Sequence, residues 1–399
     1  MNAFFQDLGR RVQARWREAN FSQERFPQLA VEALEEKLPS ELVVLGDLVR
    51  EFLSEDDQPL QTGSGFGQPE LVVFEDPRFY IQALFWLEGT TQIHQHEFDG
   101  AFHVMAGSSL HSEFAFEKVR PITAHFRLGN LRLLQTELLE TGRVVPIVAG
   151  AGHIHSLFHL DTPSVTIVVR THTAPGTGPQ FTYLPPNVAV DPFHSDALTS
   201  RRLQLLDVLE RTDDPTYGDA AVELAATLDF ERGFFVLQNC LAGLRSCGRW
   251  EDAWGAFRKK HGRLATGVDR TLDEIVWRDS VVGLRSRVTD VEHRYFLALL
   301  LNVASKTKIL ELVRGRYSGK PGDTVMRWAE ELTESSDEGT WVLDAAFPDS
   351  LAVPEEEQPV VFLAALQHFV CGGKAPLPEK TLRALRGAFA RSSLRALVA

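Results

Sequence analysis

Cysteine is scarce in this chain: three in 399 residues, Cys240, Cys247 and Cys371, an odd number with none in the first half. Such a set cannot staple a small secreted scaffold, and it points to a reducing compartment. No run of eighteen apolar residues occurs, which excludes a membrane-spanning helix. The first residues, Met1-Asn2-Ala3-Phe4-Phe5-Gln6-Asp7, lack the charged start and continuous apolar stretch of a signal peptide, so a cytoplasmic location is expected. Positive charge is short as well. Against 54 Asp and Glu stand 41 Lys and Arg, a net charge of −13, and neither nucleic acid nor an anionic membrane surface is an expected partner. Lysine is rare beside arginine, nine against thirty-two, a bias that suggests a GC-rich bacterial genome and carries no chemistry. The remainder, 44% hydrophobic and 24% charged, is the composition of a globular protein long enough for two or three domains.

Histidine is the residue that is concentrated. Nine of thirteen fall between His94 and His172, and the two short patterns His94-Gln95-His96 and Gly152-His153-Ile154-His155 read as one metal site. Imidazole is the commonest protein ligand for iron, copper, zinc and nickel, and two of them at i and i+2 on a strand project from one face of a sheet. The surroundings are strand-like. Phe79 to Trp86 is aromatic and β-branched, Gly89-Thr90-Thr91 breaks it, a second strand runs from Phe102 to Met105 and stops at Gly107, and Val165 to Arg170 closes the stretch.

The spacing resembles the cupin family, whose first motif is Gly, four or five residues, His-x-His, three or four residues, Glu, six residues, Gly. Here Gly89 is followed by His94 and His96, then Gly100 where the family has Glu, then Gly107. The second motif, Pro-x-Gly-x-x-His-x-x-x-Asn, is matched by Gly152, His155 and His159, with His159 at the Asn position; a register shifted by two puts Gly150 on the motif glycine and His153 on the ligand. The first register is preferred because it leaves a polar residue at the Asn position. The resemblance covers roughly residues 66 to 175 and implies a β-barrel (jelly roll) with His94, His96 and His155 around one metal.

A set of three neutral imidazoles leaves a divalent ion its full charge, so the site favours an anionic group on the metal: a thiolate, a carboxylate or an enolate. Three-His cupin sites of this kind are similar to those of thiol and β-diketone dioxygenases, which implies Fe(II) and a non-haem oxygenase acting on a small anionic or amino-acid-derived substrate. No cysteine lies in residues 66–187, so a cysteine–tyrosine crosslink of the kind some thiol dioxygenases carry cannot form there. Bare imidazoles also suit copper, nickel or zinc, and iron rests on the resemblance. Two other readings stay open: a metal-dependent isomerase or lyase, which needs only a Lewis acid, and a non-catalytic, ligand-sensing cupin whose helices contact a partner protein or a second copy of the chain.

Around the metal, three residues are candidates for substrate contact. His159 shares a strand face with His155, Arg170 is the cation of the closing strand and can clamp a carboxylate bidentately, and Tyr80, with Gln82, alternates along the strand before the motif. Glu97 and Asp99 could restore a carboxylate ligand; solvation is the plainer reading of the first and a turn that of the second. Gly100 is either a vacated ligand position or a turn glycine. His103, His111, His125 and His172 are read as partly exposed strand histidines.

The flanks are helical. Apolar residues recur at helical spacing in 3–19, 29–38 and 42–53, and Gln61 to Gly67 reads as a linker rather than a phosphate loop, because no Lys-Ser or Lys-Thr pair follows. Thr173 to Asn187 reads as a Pro- and Gly-rich connector. Helices are expected near 197–211, 217–228, 230–246, 250–264, 270–285, 290–303, 306–317, 321–335, 358–371 and 378–398, the last with a solvated basic face. The expected architecture is therefore α+β: an N-terminal helical segment (1–65), a cupin-like metal-binding barrel with its connector (66–187) and a helical array (188–399).

Overall fold

The computed structural model describes residues 3–61, 66–88, 90–174, 176–334 and 347–398. Gly89 of the first motif, residues 62–65 of the expected linker and residue 335 at the end of one expected helix lie outside the described residues. The described strands are β1 (Glu70–Asp76), β2 (Phe79–Trp86), β3 (His94–His96), β4 (Gly100–Ala106), β5 (Ser108–Pro121), β6 (Phe126–Glu140), β7 (Val144–Ile147), β8 (Gly150–His159), β9 (Ser164–Thr171), β10 (Thr182–Leu184) and β11 (Val188–Val190). Five of them form a sheet in the order β1-β2-β9-β4-β7, and six close in the order β10-β11-β6-β5-β8-β3. The layout is a cupin-like double-sheet barrel.

Strand alternation decides what each sheet faces. Along β2, Phe79, Ile81, Ala83 and Phe85 turn outward and pack with Phe5, Leu8, Val12, Trp16 and Phe26 of the N-terminal helices Ala3–Glu18 and Phe26–Glu36. Val165, Ile167 and Val169 of β9 join the same cluster. Gln82, Leu84 and Trp86, together with Thr166, Val168 and Arg170, turn inward instead and line a cavity between the sheets. Covered on both faces, these two central strands read as continuous apolar runs rather than as alternating ones.

The helical half docks on the outside of the six-strand ring. Leu110, Phe158 and Leu160 enter one core with helices Val268–Leu284 and Val291–Asn302, while Phe126, Val188 and Val190 enter another with helix Phe230–Ser246. Helix limits elsewhere follow the sequence periodicity closely, as at Ala197–Arg211 and Gln358–Cys371. Two expectations are corrected. The stretch 173–187 is more than a connector, since it holds β10, and β11 follows at Val188–Val190 to pair with β6; strands of three residues are too short to show a period. The expected terminal helix 378–398 is broken into Glu379–Phe389 and Arg395–Val398, with Ser392 accepting from the Leu394 N–H at the break. Among the described residues no helix is long and apolar enough to cross a membrane.

Candidate metal centre

Three imidazoles meet on the six-strand wall of the cavity. The β3–β8 register sets His94 opposite His155, and a local irregularity sets His96 opposite Gly150, whose φ of +73° is a left-handed value that glycine adopts without strain. One ligand atom from each of His94, His96 and His155 lies within 4.8 Å of the other two. His153, the alternative third residue, is beside His155 but groups with His111 and His155 instead.

All three rings are buried, and burial is the main cause of their lowered basicity: His94 is brought down to about 4 although the Gln92 carbonyl opposes the shift, and His96 and His155 are held well below the ordinary imidazole range, with neighbouring imidazoles adding to the effect. Neutral rings keep one lone pair each. A carbonyl only accepts, so His94 Nδ1, 2.8 Å from Gln92 O, carries the proton and leaves Nε2 free to ligate. His96 Nε2 and His155 Nε2 are 2.9 Å apart. Two nitrogens held at about 2.1 Å from one ion and at right angles stand about 3.0 Å apart, so this spacing fits a shared ion. The donor set is that of a borderline divalent metal.

The opposite wall sets one cation, Arg170, in an apolar surround. Arg170 lies in the lining, its guanidinium 3.5 Å from the Phe98 ring centroid and 5.0 Å from that of Tyr80, and its Nε finds no hydrogen-bond partner among the described residues. Gln82 Nε2, also in the lining, is likewise buried without a partner. Phe66, Trp86, Phe98, Phe102 and Leu157 complete the enclosure around about 50 Å³ of free space. A single water needs on the order of 10–15 Å³ on this measure, so the cavity admits only a small ligand.

The remaining site candidates stand behind this lining. His159 is fully buried, stacked on Trp86 at 4.5 Å with Nδ1 against Ser109 Oγ at 2.8 Å, and burial takes its basicity down to about 3. It supports the wall rather than facing the cavity. Tyr80 stands behind Arg170, packed on His172, and burial raises its hydroxyl's pKa. Asp99 is occupied elsewhere: its carboxylate accepts from the Ala149 N–H and from Gln23 Nε2, tying the N-terminal helices to the barrel. Glu97 accepts from Thr173 Oγ1. Gly100 is neither a turn residue nor a vacancy. It lies in β4 against β9, where a Cβ would stand 2.2 Å from Val169 O, so glycine is required by strand approach.

Two histidines expected at partly exposed positions are fully buried. His103 Nε2 accepts from the Ser40 N–H, and His111 Nε2 lies 3.0 Å from His155 Nδ1. In the sequence both carry only period-2 placement, His103 on the β4 face toward the N-terminal helices and His111 on the inward face of β5, which a lone histidine does not advertise. His125, paired with Asp191, and His172 are at least partly exposed as expected.

No family model matches the chain, and no curated protein matches it. Solved structures similar to it include a cupin-2 domain containing protein from Shewanella frigidimarina (15% identity, 34% of this chain and 99% of that one, TM-score 0.21). A hydroquinone 1,2-dioxygenase from Sphingomonas sp. TTNP3 with 4-hydroxybenzoate bound matches at 14% identity over 27% of this chain and 68% of its own, TM-score 0.21. The DMSP lyase DddQ from Ruegeria pomeroyi matches at 16% identity over 46% of this chain and 98% of its own, TM-score 0.24. These likenesses span less than half of the chain, and no chemistry is carried over from them.

Proposed function

We propose that this protein is a metal-dependent enzyme of the cupin type, an iron(II) oxygenase acting on a small anionic substrate, with His94, His96 and His155 as ligands. The observation that carries the reading is the opposition of three neutral imidazoles to an arginine across one small apolar cavity. His94, His96 and His155 would hold iron(II), which would supply open positions for an anionic substrate and for activation of dioxygen.

The chain's own residues do the rest. Arg170 holds a carboxylate at the far end of the substrate, where its planar fork gives orientation as well as charge. Phe98 stacks on the guanidinium and fixes its plane. Gln82 has an amide N–H to give to a substrate oxygen. The aromatic wall keeps bulk water out, which strengthens each of these polar contacts. His159 acts through Trp86 as a positioning residue, and Tyr80 acts likewise through Arg170.

The test is metal analysis of protein purified without added metal, followed by oxygen uptake with small carboxylates bearing a thiol or a β-dicarbonyl group. Iron near one equivalent, with uptake lost in Arg170→Met, is the expected result. Turnover that proceeds without oxygen consumption overturns the oxygenase in favour of a Lewis-acid lyase or isomerase at the same site. Tight binding with no turnover of any kind favours a ligand sensor.

A further inference from the structure

Behind the three-His site, on the same inward face, His111 of β5 meets two carboxylates. His111 and Glu113 are at i and i+2, and Glu137 of β6 is the direct cross-strand partner of His111, so all three side chains share one side of the sheet. One ligand atom from each lies within 4.8 Å of the others. His111 is fully buried, and its Nδ1 has no hydrogen-bond partner, while Glu113 and Glu137 remain partly exposed. That nitrogen stands 3.6 Å from Glu137 Oε1 and 3.9 Å from Glu113 Oε1. Both distances exceed a hydrogen bond and suit ligands on one ion: donors at about 2.1 Å and an angle of about 120° are about 3.6 Å apart.

We propose that His111, Glu113 and Glu137 form a second divalent-cation site, entered from solvent past the two carboxylates and coupled antagonistically to the three-His site. One imidazole and two carboxylates neutralise a divalent ion and suit manganese, iron, cobalt or zinc. The coupling follows from a single proton. Only one hydrogen lies between His155 Nδ1 and His111 Nε2. A neutral His155 that ligates through Nε2 keeps that hydrogen on its own Nδ1, so His111 must hold its proton on Nδ1, facing the carboxylates. A neutral His111 that ligates through Nδ1 holds the hydrogen on Nε2 instead, so His155 carries its proton on Nε2 and donates it across the 2.9 Å gap to His96. Each loaded site therefore imposes the tautomer that the other cannot use, and linkage makes the weakening mutual.

The second site stands on its own geometry; the coupling rests on the three-His reading above. Cobalt(II) titration of metal-free protein, followed by absorption and calorimetry, tests both. Wild type should bind one ion tightly and a second at least tenfold more weakly. Glu113→Gln with Glu137→Gln should abolish the weaker class, and His94→Ala with His96→Ala should abolish the tight class and strengthen the other severalfold. An isotherm unchanged by the two glutamine substitutions overturns the second site. A second class unchanged by the two alanine substitutions overturns the coupling. If those alanine substitutions remove nothing while the glutamine pair removes a class, the three-His reading falls and the second site stands.

Discussion

Arg285 Nε donates to the backbone carbonyl of His159 at 2.7 Å, and through this bond the helical half grips the strand that carries His155. Arg285 is fully buried, and its other nitrogens reach Asp161 O and Leu87 O at 3.3 and 3.5 Å. Arg294 adds bonds to Leu160 O and Thr162 Oγ1. Burial lowers the Arg285 pKa only to about 10, so it stays charged at neutral pH. The same His159 stacks on Trp86, a wall of the cavity, so the helices reach the site through backbone and ring rather than by a ligand of their own.

Arg285→Met should therefore cost about 2 kcal/mol, because the buried His159 carbonyl loses a charged donor, while the carbonyls of the partly exposed Asp161 and Leu87 can turn to water. Urea unfolding measures the loss. Near-ultraviolet circular dichroism of Trp86 should change in the folded variant, while metal stoichiometry stays at the wild-type level; unchanged stability would mean that the guanidinium is dispensable and the halves are held by apolar packing alone.

His155→Ala should remove most bound metal from the three-His site with the fold intact, whereas His153→Ala should retain it. His153 is buried, with both ring nitrogens unpartnered and its basicity taken down to about 3 by burial, but its ligand atom does not group with those of His94 and His96. Metal analysis of the two variants side by side decides the register. The reverse pattern assigns the site to His153.

Arg170→Lys should weaken binding of an anionic substrate or inhibitor by about tenfold to a hundredfold, because an ammonium cannot reproduce the fork or the stack on Phe98. Calorimetry with a small carboxylate reads this directly. An affinity equal to wild type would place the anion elsewhere in the cavity.

Much of this was legible from local pattern. The His-x-His pair, the apolar runs of β2 and β9, and most helix limits are set by period-2 and period-3.6 spacing within one element. What escaped depends on partners far along the chain. Gly100 reads as a turn or a vacancy until Val169 is placed against it, and His111 reads as a bland strand histidine until His155 is placed across the sheet. Short β10 and β11 carry too few residues to show alternation. Arg285 and Arg294 drew no reading from the sequence, because the carbonyls they meet lie more than a hundred residues away and only the packed structure brings them together.

Gly100→Ala tests that long-range reading. The added methyl meets the Val169 carbonyl oxygen of the neighbouring strand, which cannot move without disturbing the β4–β9 ladder, so a loss of about 3 kcal/mol is expected. Gly100→Glu should be at least as destabilised and should gain no metal affinity. A stable Gly100→Glu protein that binds metal more tightly would restore the position to the ligand set.

His103 makes stability depend on pH at a distance from the metal. It is fully buried, and burial lowers its pKa from the ordinary 6.5 to about 4. Its Nε2 already accepts the Ser40 N–H at 3.1 Å, so a proton there would face a donor. Below pH 6.5 the unfolded chain takes up a proton that the folded one refuses until about pH 4, so stability falls as pH falls through that window and is unaffected above it. The loss from this one group approaches about 3 kcal/mol at pH 4. His103→Gln keeps an acceptor for Ser40 without a titration, so its unfolding free energy should drop less than that of wild type between pH 7 and pH 4.5, with the two profiles parallel above pH 7. Identical slopes in the acid window would show that His103 titrates normally in the folded protein and that its burial is incomplete in solution.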